Sequence, residues 1–410
     1  MGTRDAAAEA VVRLRVRGRN IDDLRRANLS IILRLLHTRG ALSRAELTKI
    51  TQLNRSTIAT ITGELEAAHW VEASEPEPTK RKGRPSPVIA TSTHHVAIAV
   101  TPEVDGITIA VVALGGRVLR SVHFALERTP SPQEAVNAIS AVIAGMLPEL
   151  NERHRVLGIG LAVPGLVSKD DGLVVLAPRL GWLDIPFAAM VEEATGLPVI
   201  AGNDADCGVS AEVAYGAAAG DLDVVYLNGG ASGIGAGVTV GGLLLAGAGG
   251  FGGELGHTLV RSGGAPCRCG ASGCLEAEVD LGQLLAAAPG VGANELENAI
   301  LHREPGSELD TVVNAQADAL AVALRNIVNI FNPSTVVLGG FLGSLWAGAR
   351  ERISGAVLAT AMRGPAQQAR IVASSLTRRD NLSLGAAGLV FEPLLADPTL
   401  LEDAADTASA

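Results

Sequence analysis

Three cysteines within eight residues place the strongest constraint on what this chain can fold into. Cys267, Cys269 and Cys274 follow His257 by ten to seventeen residues. They are too close together for a disulfide framework, whereas three thiolates and one imidazole form the ligand set of a closed structural zinc site. Because no ligand position is left for water, we predict structural Zn²⁺ rather than hydrolytic zinc chemistry. The alternative, free thiols in a glycine-rich loop, requires this spacing to arise by chance.

Charge is distributed unevenly along the 410 residues. The net charge is −10, yet residues 1–90 contain 16 Lys and Arg against 10 Asp and Glu, so the acidic excess lies in the remainder. A basic head followed by an acidic body is typical of a DNA-binding domain joined to a ligand-binding domain. A basic N-terminus that serves only solubility is the alternative.

Residues 21–68 carry three helical patterns, the first of them closed by Gly40. Ser43 and Glu46 form a capping-box pair that starts a second, short helix, and a third helix begins after Asn54. Two helices with so short a link predict a helix-turn-helix, in which the start of the second helix meets the base edges of DNA. A plain helical hairpin is the alternative. The predicted DNA contacts here are Ser43, Arg44, Asn54, Arg55, Ser56, Thr57 and Thr60.

A basic loop follows the third helix, between two predicted strands. Residues 79–87 read Thr-Lys-Arg-Lys-Gly-Arg-Pro-Ser-Pro, which is typical of the wing of a winged helix-turn-helix. Arg81 and Arg84 flank Gly83, and arginine in a narrow minor groove reads DNA shape. We therefore predict that both arginines contact double-stranded operator DNA. The alternative is a charged interdomain linker.

From Val96 onward, apolar strands alternate with helices and glycine-rich turns, which predicts an α/β sheet architecture. We predict a flexible basic N-terminus at 1–20, a winged helix-turn-helix domain at 21–90, a ligand-binding domain at 91–395 and a disordered acidic tail at 396–410. No apolar run reaches the roughly 20 residues of a membrane-spanning helix, and the first residues lack the apolar core of a secretion signal. We therefore expect a cytoplasmic protein with no membrane partner.

A series of motifs in this second region has a recognisable order. They are Val-Pro-Gly at 163–165, Leu-Gly-Trp at 180–182, Asn-Asp-Ala at 203–205, Gly-Ile-Gly-Ala-Gly at 233–237, Gly-Phe-Gly-Gly-Glu-Leu-Gly-His at 250–257, Cys-Leu-Glu at 274–276 and Val-Leu-Gly-Gly at 337–340. With the helix-turn-helix and the zinc cluster, they resemble the ROK family of repressors, open reading frames and kinases.

The resemblance implies an actin-like (ribonuclease H-like), two-lobed sugar-kinase fold that forms a homodimer or homotetramer. It also implies a monosaccharide or sugar-phosphate effector, held by Asn203, Asp204, Glu254, His257 and Glu276. These residue types suit the task, because carboxylates accept hydroxyl hydrogen bonds and an amide offers both donor and acceptor. One imidazole nitrogen of His257 could bind zinc while the other donates to the sugar.

The same resemblance bears on catalysis. A family kinase would carry Asp-x-Gly-Gly-Thr-Lys after its first strand and use Asp204 as general base. Here only the second glycine-rich turn, at residues 229–235, is present, and Ala99 is placed where the first turn would have its acidic residue. Loss of a magnesium ligand and of phosphate-binding N–H groups removes transition-state stabilisation. We therefore predict no catalytic residues and no kinase activity.

The sequence thus predicts a sugar-responsive, DNA-binding transcriptional regulator, a repressor of carbohydrate uptake or catabolism genes. Two alternatives stay open. One is an ATP-dependent sugar kinase fused to a DNA-binding head, and the other is a regulator controlled by a partner protein.

Overall fold

The computed structural model describes residues 21–74 and 87–400, which group into two units. The first unit holds the residues up to Ser92 together with those from Glu392 on, and the second unit spans Thr93–Phe391. Within the described ranges, no helix combines the length and the apolar character needed to cross a membrane.

Three helices and a small sheet form most of the first unit. They are α1 (Ile21–Arg39), β1 (Leu42–Ser43), α2 (Arg44–Thr51), α3 (Arg55–Ala67), β2 (Val71–Ser74) and β3 (Val88–Thr91). The two helices of the predicted helix-turn-helix are present and begin directly after Ser43 and Asn54. Ser43 and Glu46 form the predicted capping box, and Gln52 takes a left-handed conformation at the end of α2. Apolar side chains of α3, such as Leu65, are buried against the rest of the unit.

Strands β2 and β3 pair antiparallel, with Val71 opposite Thr91. The predicted wing loop connects these two strands. Arg81 and Arg84 lie outside the described residues, so their contacts with DNA stay a prediction.

The helix of residues 378–396 ends in the first unit. Both terminal nitrogens of Arg34 in α1 donate to the Glu392 carboxylate, at 2.9 and 2.6 Å. Arg26 pairs with Asp397 at 3.4 Å. The predicted tail at 396–410 thus starts with residues that the structure describes, since residue 396 ends this helix, whereas the tail residues after 400 lie outside the described part of the chain and their disorder stays a prediction.

The second unit is built from strands and helices that alternate along the chain. Its strands are β4 (His95–Glu103), β5 (Gly106–Ala113), β6 (Arg117–Ala125), β7 (Arg155–Val163), β8 (Leu166–Val167), β9 (Val174–Ala177), β10 (Trp182–Ile185), β11 (Val199–Asn203), β12 (Val224–Gly230), β13 (Gly233–Val240), β14 (Leu243–Leu244), β15 (Thr335–Gly340) and β16 (Arg370–Ala373). Its α-helices are α4 (Pro132–Arg153), α5 (Phe187–Thr195), α6 (Asp204–Tyr215), α7 (Leu275–Glu278), α8 (Leu281–Ala286), α9 (Leu296–Leu301), α10 (Glu308–Phe331), α11 (Phe341–Thr360), α12 (Arg363–Gln368) and the start of α13 (Arg378–Ala396).

Two five-stranded sheets of matching topology organise this unit. Their strand orders are β11-β7-β4-β5-β6 and β16-β15-β12-β13-β14. In each sheet the first three strands along the chain are antiparallel, and the two strands that follow are parallel to the first. This repetition gives the unit two lobes, and it confirms the predicted α/β, two-lobed sugar-kinase fold.

Each sheet has its own apolar core. Strands β4 and β5 are buried along their whole length, as expected for strands whose two faces are both covered. Helices α4 and α5 contribute to the core of the first sheet, and the long helices α10 and α11 contribute to that of the second. The ends of the central strands are thereby held rigidly, and the candidate site is built on them.

Candidate functional site

One cavity of the second unit contains all five side chains that the sequence predicts to bind a sugar. It encloses about 390 Å³ and lies between the end of β11, the turn from β12 to β13 and residues 254–276. The predicted side chains that line it are those of Asn203, Asp204, Glu254, His257 and Glu276. Segments far apart in the sequence thus converge on one polar pocket.

Asn203 lies at the junction between β11 and α6. Its Oδ1 atom accepts hydrogen bonds from the backbone N–H groups of Ala205 and Asp206, at 2.8 and 3.1 Å, and its Nδ2 atom donates to the carbonyl of Gly165 at 2.8 Å. The amide is therefore a helix cap that fixes Asp204 at the start of α6. One N–H of Asn203 is left for a ligand.

Two carboxyl groups at the start of α6 are ionised less readily than usual. Burial raises the pKa of Asp204 to about 6, against the opposing charge of Arg378. Burial and the neighbouring Asp204 raise the pKa of Asp206 to about 7. The amide of Asn228 donates to Asp204 at 3.4 Å. Asp204 is thus a nearly buried acceptor at the base of the pocket, sensitive to pH near neutrality.

Glu254 and His257 face each other across one short helical turn, as their spacing of three residues predicts. The Nε2 atom of His257 lies 3.9 Å from a carboxylate oxygen of Glu254. On the other side of the ring, Nδ1 lies 3.6 Å from an oxygen of Glu276. Burial raises the pKa of Glu254. The Nε2 atom of His257 therefore faces Glu254, whereas its Nδ1 atom faces Glu276.

The predicted metal ligands His257, Cys267, Cys269 and Cys274 also come together, with their ligand atoms within 4.8 Å of one another. Zinc bonds of about 2.3 Å to sulfur and 2.1 Å to nitrogen, at tetrahedral angles, separate two sulfurs by about 3.8 Å and a sulfur from a nitrogen by about 3.6 Å. The structure has Cys269 and Cys274 sulfurs 3.7 Å apart, and Cys267 Sγ 3.6 Å from His257 Nδ1. The residues therefore fit a tetrahedral zinc ion.

Glycine at position 233 leaves room for the side chain of Glu276 next to the turn from β12 to β13. Gly233 has φ +111°, and a Cβ atom there would lie 2.4 Å from Oε2 of Glu276. The other oxygen of Glu276 contacts Cys267 Sγ at 3.3 Å. The side chain of Glu276 therefore lies between the turn from β12 to β13 and the three cysteines. It contacts Cys267 on one side and lines the pocket on the other.

A family model described as the ROK family matches residues 98–392. The chain belongs to the ROK family.

Curated relatives of this ROK chain include repressors and kinases. A protein named "Putative xylose repressor" from Caldicellulosiruptor sp. is 28% identical across 92% of this chain and 98% of its own length. The Escherichia coli protein named "DNA-binding transcriptional repressor Mlc" is 26% identical across 78% of this chain and 82% of its own length. A glucokinase from Halalkalibacterium halodurans is 34% identical but matches 45% of this chain and 61% of its own length.

Solved structures show the same division. A ROK family transcriptional regulator described as a homolog of the E. coli MLC protein aligns with a TM-score of 0.73 and 24% identity, over 92% of this chain and 98% of that one. A ROK family glucokinase from Streptomyces griseus aligns with a TM-score of 0.60 and 26% identity, over 72% of this chain and 98% of that one. The fold of the second unit is thus shared with both regulators and kinases.

In this ROK chain, the first strand of the second unit carries the position that the sequence compares with the acidic residue of a kinase. Ala99 lies in the middle of β4, opposite Ala110 and Gly160, and is buried. The strand ends four residues later at Glu103, whose carboxylate accepts a hydrogen bond from Arg378. The loss of the acidic residue at Ala99 stays a prediction, and the structure adds a different acidic residue, Glu103, at the strand end. The connecting residues 104–105 still lack the lysine and the adjacent glycines.

Arg378, at the start of α13, is a pocket residue that sequence reasoning missed. It lines the cavity, donates from Nη1 to Glu103 and lies so close to Gly230 that a Cβ there would be 3.0 Å from Nη2. The sequence gives no signal for this role, since an arginine followed by Arg379 is typical of an exposed basic surface.

In the first unit of the ROK chain, some of the predicted DNA contacts are helix caps, and others have side chains exposed on the surface. Asn54 Oδ1 accepts from the backbone N–H of Thr57 at 2.8 Å and from Ser56 Oγ at 2.7 Å, and Ser43 is engaged in its capping box. Arg55, Ser56 and Thr60 are exposed on α3, and Arg44 and Thr57 are half-buried. Arg55 therefore offers the one predicted cation on the exposed face at the start of α3.

Proposed function

We propose that this ROK chain is a DNA-binding transcriptional repressor whose affinity for operator DNA is controlled by a monosaccharide bound in the pocket. The observation that carries the proposal is the presence, in one chain, of a pocket lined by three carboxylates and of a helix, α3, whose first residues are exposed. The relatives named as xylose repressors match the chain across both regions, which supports the same combination of roles. Genes of carbohydrate uptake or catabolism are the proposed targets, and a repressor of such genes would act in the cytoplasm.

The pocket chemistry suits a polyol. Asp204, Glu254 and Glu276 each present carboxylate oxygens that accept hydroxyl hydrogen bonds, and Asn228 adds an amide. The Nε2 atom of His257 faces Glu254 rather than the cysteines, so it is placed to donate to the same ligand. We propose these side chains, with the free N–H of Asn203, as the sugar-binding set.

We propose that His257, Cys267, Cys269 and Cys274 hold a structural zinc ion. Bound zinc would supply folding energy by cross-linking residues 257–274. The cluster would also position pocket residues. His257 belongs to the cluster, Glu276 contacts it, and both side chains line the pocket. A carboxylate oxygen of Glu276 lies 3.3 Å from the sulfur of Cys267. If the cysteines are ionised, a bound cation would offset the repulsion between this carboxylate and the thiolates.

Control of DNA binding requires two states with different sugar affinities. We propose that sugar binding changes the closure of the two lobes and thereby the spacing of the DNA-binding units in a homodimer or homotetramer, which would meet operator half-sites about one helical turn or a multiple apart. The coupling is reciprocal, so operator DNA must weaken sugar binding by the factor by which sugar weakens operator binding.

One set of measurements separates this proposal from its two alternatives. The purified chain would be screened against monosaccharides and their phosphates by thermal shift, with and without Mg-ATP, and ATP consumption would be followed in parallel. A regulator shows a sugar-induced shift without turnover and a sugar-dependent change in binding to DNA fragments selected from a random pool. A kinase consumes ATP only with sugar, and a partner-controlled regulator responds to no sugar. Operator affinity that is equal with and without every sugar would refute the proposal.

A further inference from the structure

The Arg378 guanidinium joins the ends of the first strands of both sheets. Its Nη1 atom donates to Glu103, the last residue of β4. Its Nη2 atom faces Gly230, the last residue of β12, where a Cβ atom would lie 3.0 Å from it. The side chains of Glu103 and Arg378 are 10% and 29% exposed, so this ion pair is largely shielded from water and belongs to the pocket wall.

The hydrogen-bond donors of Arg378 are mostly used or unreachable. Nη1 is engaged by Glu103, and Nε is buried without a hydrogen-bond partner among the described residues. Arginine binds phosphate or carboxylate strongly when two parallel N–H groups form a fork. With Nε buried, an anion in the pocket could form such a fork only with Nη1 and Nη2, and it would then have to share Nη1 with Glu103.

The charge at the end of the pocket next to Arg378 also opposes an anion. Asp204, Glu254 and Glu276 line the pocket, and the positive charge of Arg378 is already balanced by Glu103. Two further arginines line the cavity, Arg179 half-buried and Arg268 exposed, so the repulsion concerns an anion placed beside Arg378 and Asp204. A phosphate at the turn from β12 to β13 would therefore lie beside the carboxylate of Asp204 and beside a guanidinium whose charge is offset by Glu103. It would gain little attraction from Arg378. At the short distances of a pocket, like charges that are partly buried are screened little by salt.

We propose that the Glu103–Arg378 ion pair makes this pocket select uncharged monosaccharides over phosphorylated ones. This inference rests on the proposed function of the pocket and specifies its ligand class. Glu103 is the determining residue, because its carboxylate cancels a guanidinium that would otherwise attract an anion.

The first test compares binding of uncharged sugars and their 6-phosphates to the unmodified protein by isothermal titration calorimetry. We expect the uncharged sugar to bind about tenfold tighter or more, since the phosphate gains no charge-assisted bond and is repelled by the carboxylates. Equal or tighter binding of the phosphorylated sugar would overturn the proposal.

The second test removes the balancing charge. Glu103→Gln keeps the size of the side chain and an oxygen that can accept from Nη1, but it leaves the charge of Arg378 uncompensated. We expect the affinity for inorganic phosphate and for a sugar phosphate to rise about tenfold or more. The double variant Glu103→Gln with Arg378→Met, in which the cation is also removed, should lose the gain.

The outcomes separate the two proposals. If uncharged sugars bind and Glu103→Gln gains no phosphate affinity, the ion pair does not set specificity, although the pocket remains a sugar site. If Glu103→Gln and its double variant gain phosphate affinity equally, Arg378 is not the anion-binding group and the inference also fails. If no sugar binds but Glu103→Gln gains phosphate affinity that the double variant lacks, the ion pair acts as inferred and the proposed sugar response is wrong.

Discussion

The Nδ1 atom of His257 lies 3.6 Å from the Sγ atom of Cys267. Its other ring nitrogen faces Glu254 across the pocket wall. A ring that binds metal through one nitrogen is commonly oriented by the hydrogen bond of the other. His257 is therefore the physical link between the metal cluster and the ligand pocket, and a change at the cluster should be detected in the pocket.

Removal of a cysteine ligand is the direct test of that link. We expect Cys269→Ser to lose zinc, to lower the free energy of unfolding, and to weaken sugar binding, because residues 257–274 would no longer be cross-linked. Metal content is measured by plasma mass spectrometry and stability by denaturant unfolding. Cys207→Ala is the matched control: Cys207 is buried beside Gly385, away from the cluster, so this variant should keep its zinc. Full zinc content in Cys269→Ser would exclude Cys269 as a ligand.

Gly233 gives a second test, in which no ligand atom is removed. In Gly233→Ala the new methyl group would collide with Glu276, because a carboxylate oxygen of Glu276 lies 2.4 Å from the place that the methyl carbon would take. We expect a loss of sugar affinity of about tenfold or more, since a displaced carboxylate loses its charge-assisted bonds. Isothermal titration calorimetry measures the loss.

Gly241→Ala is the control for the backbone effect of that substitution. Gly241 also has a positive φ, +59°, but a Cβ atom there would meet nothing within 4 Å. It should therefore cost stability through strain, by about 1 kcal/mol, with sugar affinity retained. Equal loss of sugar affinity in both variants would mean that the approach of Glu276 to the turn is unimportant.

Much of this architecture is predictable because its signals are local. The capping residues Ser43 and Asn54 fix where two helices begin, and the close spacing of Cys267, Cys269 and Cys274 fixes the candidate metal loop. The position of Glu103 depends instead on where β4 ends within its sheet, which a turn motif does not define. The pairing of Glu103 with Arg378 is therefore not visible in the motifs.

Arg378 is unpredictable from the sequence for a different reason. Its partners Glu103 and Gly230 are 275 and 148 residues away in the sequence, and no spacing rule connects them. The ion pair exists because the tertiary fold places the start of α13 next to the end of β4. Asn203 shows a related limit, since the sequence suggests its amide for ligand binding, whereas the structure also uses it as a helix cap.

DNA recognition and sugar recognition should be separable by substitution. Arg55→Ala is expected to weaken operator binding by about 1–3 kcal/mol, the usual contribution of a bidentate base contact, with sugar affinity unchanged. Arg55→Lys, which keeps the charge but not the planar fork, should recover phosphate attraction without base specificity. Glu254→Ala should instead weaken sugar binding by about 10- to 100-fold and leave the affinity for sugar-free operator unchanged. Loss of both activities in either variant would indicate misfolding, which circular dichroism detects.

Asp204 predicts opposite pH dependences for stability and for ligand binding. Burial raises its pKa from 3.8 to about 6 in the folded chain, so between these values the folded state holds a proton that the unfolded state has released. The stabilisation from this proton is complete below pH 3.8 and is lost as pH rises through about 6. Sugar binding should follow the opposite course, because only the ionised carboxylate forms charge-assisted bonds with hydroxyl groups; affinity should therefore fall as pH falls through about 6.

Comparison of the wild-type chain with Asp204→Asn measures this effect together with the part of the Asp206 shift that Asp204 causes. From about pH 7.5 to about pH 5.5, the wild type should gain about 1 kcal/mol of unfolding free energy relative to the variant, measured by denaturant unfolding at each pH. Zinc content is measured at each pH, because protons compete with zinc for the thiolates. Asp206, whose pKa is raised to about 7 partly by Asp204, adds a contribution of the same sign, so Asp206→Asn should reduce the slope as well. A stability difference between wild type and Asp204→Asn that is independent of pH would show that Asp204 is not a buried titrating group, and its place at the base of the pocket would then be wrong.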